Sequence, residues 1–371
     1  MAYRPSLGSI TLLLGVCLLA TVTACSKPPD RPQPVGRAYL PFADSDRPSW
    51  STSGPRPVGT TVWYPAMDGA EQEAWEVGVF RAGWSAPGAP LAAYEKKLPL
   101  ILLSHGTGGA ALQLSWLAET LAANGFLVAA VNHHGNTAAE ETYQPQGFML
   151  WWERTLDLSF AIDELLADER FGPRIDPGRI GVAGFSLGGY TALSLSGAVT
   201  DRARWEAFCR RDETNPSCVP PPEAGLSTEE LTALTENDAA TKASLARSNE
   251  RFRDPRIRAA FVLAPVLAPS FSPESLAAIQ LPVRLVVGSQ DRQALPATNA
   301  EPLAAQIPGA QLLVLDGVAH YTFLARCSLK GRFFVKALCK DPKGVDRAAI
   351  HEQTAADALA FFHSTLPALA P

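Results

Sequence analysis

The chain has 371 residues, 47% hydrophobic and 19% charged, with a formal net charge of −5, so it can bury a large core and falls outside the disordered and low-complexity classes. Its lysines and arginines read as scattered, without the basic stripe that phosphate-backbone binding requires, which leaves nucleic acid out of the expected partners.

In chain order, Arg4 precedes the apolar run Ile10 to Ala24, which has the length of a signal-peptide h-region and is short for a membrane span. Val22, Thr23 and Ala24 stand directly before Cys25. This resembles the bacterial lipobox, which implies a signal peptide over residues 1–24, acylation of Cys25 and export to the cell envelope with a lipid anchor in a membrane. Ser26 occupies the position where an aspartate is associated with inner-membrane retention. The proline-rich SKPPDRPQP suggests an extended tether over residues 25–45, followed by one domain over residues 46–371.

Val58 to Tyr64 and Glu76 to Phe80 read as antiparallel edge strands. From there short apolar runs alternate with segments of helical period. Strands are expected at Pro99 to Ser104, Leu127 to Asn132, Ile180 to Phe185, Ala259 to Leu263, Val283 to Val287 and Gln311 to Leu315, and helices at Trp152 to Ala167 and Ala348 to Thr365. This rhythm predicts an α/β fold, a mostly parallel sheet flanked by helices. The polar segment at about residues 201–255 interrupts it and reads as an inserted cap. Cys209, Cys218, Cys327 and Cys339 would meet an oxidising compartment, so disulfides are expected, with neighbours paired and the other two connectivities open. No spacing resembles a zinc site, and no metal is expected.

Gly184, Phe185, Ser186, Leu187 and Gly188 form GxSxG directly after the strand RIGVAGF and before a helix. The pattern alone arises by chance in about one chain in ten of this length. Between a strand and a helix, however, it describes the sharp turn that presents a nucleophilic serine above a sheet. A serine hydroxyl needs a base to take its proton, and His320, in DGVAHYTFL, follows the last strand as the fold's Ser, acid, His order requires. The acid that orients the imidazole is Asp291, at a strand end in GSQDRQALP, or Asp316, four residues before the histidine; strand-end placement favours Asp291. The amides of Leu187 and of Thr107, in the loop SHGTGG, are the expected oxyanion donors. His133 and His134 in NHHGNT either line the acyl pocket or hold a turn, and Arg154 and Asp157 are expected to form a local ion pair on one helix face.

The motifs VWYPA, LLSHGTGG, FLVAAVNHHGNT, WERTLDLSFAIDEL, GFSLGG, PVRLVVGSQD and AHYTFL fall in this order between about Val58 and Phe362. Together they resemble bacterial proteins labelled predicted dienelactone hydrolases and, more distantly, plasma-type platelet-activating-factor acetylhydrolases. The resemblance implies the α/β-hydrolase fold and cofactor-free hydrolysis of short-chain acyl or lipid esters by a serine esterase. True dienelactone hydrolases carry a cysteine where this chain has Ser186, and the acetylhydrolases take their acid one strand earlier, where this chain has Ala264 and Pro265. The substrate is therefore left open, as are a peptidase or amidase on the same residues and a ligand-binding envelope lipoprotein without turnover.

Overall fold

The computed structural model describes residues 29–219 and 228–367. The signal sequence and Cys25 lie outside them. Ten strands run along the chain: β1 (Val35–Pro48), β2 (Pro55–Pro65), β3 (Glu73–Val77), β4 (Phe80–Pro87), β5 (Leu98–Ser104), β6 (Leu127–Val131), β7 (Ile175–Phe185), β8 (Ile257–Leu263), β9 (Val283–Gly288) and β10 (Gln311–Leu315). They form one sheet in the order β10-β9-β8-β7-β5-β6-β2-β1-β4-β3. From β6 to β10 every neighbour is parallel, while β2 joins β6 antiparallel.

All seven residues of β5 are buried, because strand alternation sends them to two covered faces. Leu100 and Leu102 pack with Leu158, Ile162 and Leu193 on one side, from the helices Glu153–Ala167 and Leu187–Ser196. Ile101 and Leu103 pack on the other with Leu117, Leu121 and Phe362, from the helices Ser115–Ala123 and Arg347–Thr365. The chain leaves β5 for β6 on one side and returns across it to β7 on the other. The strand order thus reverses at β5, and the carboxyl ends of β5 and β7 flank the crevice that such a switch point opens.

Two expectations are corrected. The tether does not extend to residue 45: Val35–Pro48 is β1, paired in register with β2 from Val35↔Pro65 to Asp44↔Arg56. Val58 to Tyr64 lies inside β2, an interior strand between β6 and β1, whereas Glu76 to Phe80 spans the end of the antiparallel edge strand β3, the turn at Gly78 and Val79, and the first residue of β4. Residues 201–254, between the helix Leu187–Ser196 and β8, carry the helices Arg202–Arg211, Thr228–Asn237 and Ala239–Ala246. Disulfides join Cys209 to Cys218 and Cys327 to Cys339.

Candidate active site

Ser186 stands between β7 and its helix with φ 57° and ψ −118°, a conformation that L side chains rarely adopt. Its neighbours make the turn possible. A Cβ on Gly184 would strike the backbone of Gly188, and one on Gly188 would strike the Ser104 carbonyl of β5. The turn is tied to the sheet by Ser186 N–H, which donates to the Leu263 carbonyl at 2.9 Å.

His320 opens the short turn His320–Phe323 after β10. Ser186 Oγ donates to His320 Nε2 at 3.0 Å, and His320 Nδ1 donates to Asp291 Oδ2 at 2.7 Å. The carboxylate can only accept, which fixes that tautomer. Asp291 Oδ1 accepts from the amides of Gln293 and Ala294 at 2.9 and 2.7 Å, so both oxygens are held. Ser186, His320 and Asp291 are 6%, 5% and 2% exposed, and the Phe185 ring packs 4.8 Å from the imidazole. Asp316 is exposed and takes a bond from Ser289 Oγ instead.

The loop after β5 spends its amides selectively. Gly106 N–H goes to Gln113 Oε1, Gly108 N–H to Asn136 Oδ1 and Gly109 N–H to the Gly106 carbonyl. The amides of Thr107 and Leu187 make no hydrogen bond among the described residues, and both residues line the cavity that holds Ser186 and His320. That cavity is about 1570 Å³. Trp151, Trp205 and Leu245 wall it on the side of the insertion, and Trp75, Phe80 and Leu338 on the other. Its charged lining residues, among those described, are Arg37, Arg202 and Arg292.

His133 and His134 do not line this cavity. His134 bridges the Trp50 amide and Glu140 Oε1. His133 Nδ1 donates to Asp157 Oδ2, its Nε2 accepts from Ser104 Oγ, and its amide donates to His105 Nε2. The expected Arg154–Asp157 pair is replaced by longer-range partners. Asp157 pairs with Arg56 and Arg47, while Arg154 Nε donates to Thr191 Oγ1 at 3.2 Å and its Nη2 to the His105 carbonyl. Burial alone would raise the Asp157 carboxyl, but Arg56 and Arg47 hold it well below its ordinary value. Burial and the nearby Arg154 push His133 down to about 3, leaving a neutral imidazole.

This polar layer under the site was missed. Its signal was Arg154 standing in the apolar stripe Leu158, Ala161 and Leu165 of one helix, a polar residue at a core position that calls for buried partners. Among the described residues, no group of three or more His, Cys, Asp or Glu is placed to hold a metal ion.

A profile of the family described as platelet-activating factor acetylhydrolase, isoform II, matches residues 79–148. That stretch holds the SHGTGG loop and the NHHGNT turn but not Ser186, Asp291 or His320. No curated protein matches the chain. Among solved structures, a ferulic acid esterase from Streptomyces cinnamoneus is similar over 92% of this chain and 92% of its own, at 23% identity and a TM-score of 0.62. With the switch-point sheet and the serine turn, that likeness shows the fold: the chain is an α/β-hydrolase fold.

Proposed function

We propose that the chain is a serine hydrolase of carboxylic esters. The observation that carries this reading is the hydrogen-bonded line Ser186, His320, Asp291, beside two amides, Thr107 and Leu187, that have no partner among the described residues. Ser186 Oγ attacks the ester carbonyl as His320 Nε2 takes its proton, and Asp291 stabilises the imidazolium. The two amides receive the oxyanion. His320 returns the proton to the leaving alcohol, and water, deprotonated by the same nitrogen, clears the acyl-enzyme. The family profile and the esterase neighbour both support an ester over an amide substrate.

A fluorophosphonate is expected to label Ser186, and Ser186→Ala is expected to lower turnover of aryl acetates by roughly 10⁴-fold or more. Retained turnover in that variant would remove Ser186 from its role. A matched ester and amide pair separates esterase from amidase.

Cys25 is proposed as the acylated first residue of an exported protein. Its support is the run Val22, Thr23, Ala24 after an apolar segment. Labelled palmitate should enter the protein in a bacterial host and fail to enter the Cys25→Ala variant.

A further inference from the structure

Beside the cavity the chain carries a surface that hydrolysis does not use. Leu329, Phe333 and Phe334, on the six-residue helix Leu329–Phe334, are 75%, 70% and 74% exposed. Large apolar side chains this exposed and this close together mark an interaction site on a folded protein. The patch is held out firmly. Ser328 N–H donates to the Val79 carbonyl at 2.9 Å, Arg81 N–H donates to the Arg326 carbonyl at 2.7 Å, and Cys327 is bridged to both Phe80 and Cys339.

Its surroundings are basic although the chain is acidic overall. Arg326, Lys330, Arg332, Lys336, Lys340 and Lys343 are exposed, and none is in an ion pair among the described residues. The single carboxylate of residues 326–343, Asp341, is already paired with Arg347. Exposed aromatic and leucine side chains ringed by uncompensated cations are complementary to an anionic lipid surface, where the apolar groups enter the headgroup boundary and the cations meet the phosphates.

The N-terminus points to the same place. Arg31 is fixed by Glu119 and by the Trp84 carbonyl of β4, the strand whose first residue, Phe80, bridges Cys327. Six peptide units separate Cys25 from Arg31, a reach of at most about 20 Å. An acyl group on Cys25 therefore keeps this edge of the sheet close to the bilayer.

We propose that residues 326–343 dock the domain on an anionic bilayer, with Leu329, Phe333 and Phe334 in the interface and the six cations on the headgroups. Leu338 of this segment lines the cavity, as do Val77 and Phe80 of the β3–β4 hairpin, whose Phe80 pairs with Cys327, so docking brings cavity and membrane together. The inference does not depend on the hydrolytic reading.

The chain from Ser26 onward, which includes all ten strands and lacks the acylated cysteine, is tested by flotation with vesicles. One set is phosphatidylcholine; the other contains about one quarter phosphatidylglycerol. Binding to the anionic vesicles is expected, with weakening as salt rises. Phe333→Ser with Phe334→Ser should lower partitioning roughly tenfold or more, and Lys336→Gln with Lys340→Gln should reduce the preference for phosphatidylglycerol. Thermal melts check that the exposed substitutions leave the fold intact. The proposal is overturned if the parent chain does not bind the anionic vesicles or if the double serine variant binds them equally well. It is equally overturned if the patch instead drives self-association of the chain without vesicle binding.

Discussion

Arg154 joins the two pieces of backbone that carry the candidate oxyanion amides. Its Nη2 holds the His105 carbonyl, two residues before Thr107, and its Nε holds Thr191 Oγ1, which donates at 3.0 Å to the carbonyl of Leu187. Thr191→Val keeps the shape and removes the link. In the proposed mechanism it should lower kcat by roughly tenfold with little change in KM, and weaken a boronate that mimics the tetrahedral state by a similar factor. A change confined to KM would show that the link does not position the oxyanion site. Ser186, His320 and Asp291 were legible as candidates because the serine turn and strand-end placement are local signals, and their chain order is read directly along the sequence. The partners of Arg154 were not, since Thr191 and His105 lie 37 and 49 residues away and only the folded layers bring them within reach.

At the scale of elements, the turn from β7 into the helix Leu187–Ser196 depends on a close approach of two backbones. The Gly188 Cα faces the Ser104 carbonyl of β5, and a methyl there forces the helix away from the strand. Gly188→Ala is therefore expected to cost about 2 kcal/mol or more in urea unfolding and to reduce fluorophosphonate labelling in parallel. Unchanged stability would mean that the helix can shift freely. The buried strands were legible because continuous apolar runs mark a sheet covered on both faces. β1 was not, and the reason is its position. It pairs with β4 only at Gly36 and Arg37, so most of its length has one free edge, where Pro41 and the polar run to Pro48 are tolerated. A strand of that composition looks like a tether. Of the run Glu76 to Phe80, only the turn at Gly78 and Val79 falls outside strand, between the ends of β3 and β4.

At the scale of the whole molecule, six of the cations that read as scattered fall together in the exposed segment 326–343, while burial favours the neutral forms of several groups inside. Burial holds His105 well below its ordinary value and pushes His133 and His351 down to about 3. His351 is clamped between the Trp116 ring, 4.3 Å away, and the Thr322 carbonyl, to which Nε2 donates at 2.9 Å. Burial acts oppositely on Glu119, raising its carboxyl to about 7 against the pull of Arg31 and the Trp84 amide. As pH falls below the unfolded histidine value of 6.5, the unfolded chain binds three protons that the folded chain refuses. Down to the unfolded glutamate value of 4.5, the folded chain keeps one proton on Glu119 that the unfolded chain has lost. Three minus one leaves a net two, and at about 1.4 kcal/mol per proton per pH unit these groups make stability fall by up to about 3 kcal/mol per unit as pH drops through that window. Asp157, held low, adds its own loss only at more acidic pH, where its unfolded carboxyl protonates and its folded one does not. Urea unfolding at pH 7, 6 and 5 measures the slope. His351→Phe should make it shallower by about 1.4 kcal/mol per unit, and Glu119→Gln should make it steeper by the same amount. A slope that neither substitution moves would show that these residues titrate alike in the folded and unfolded chains.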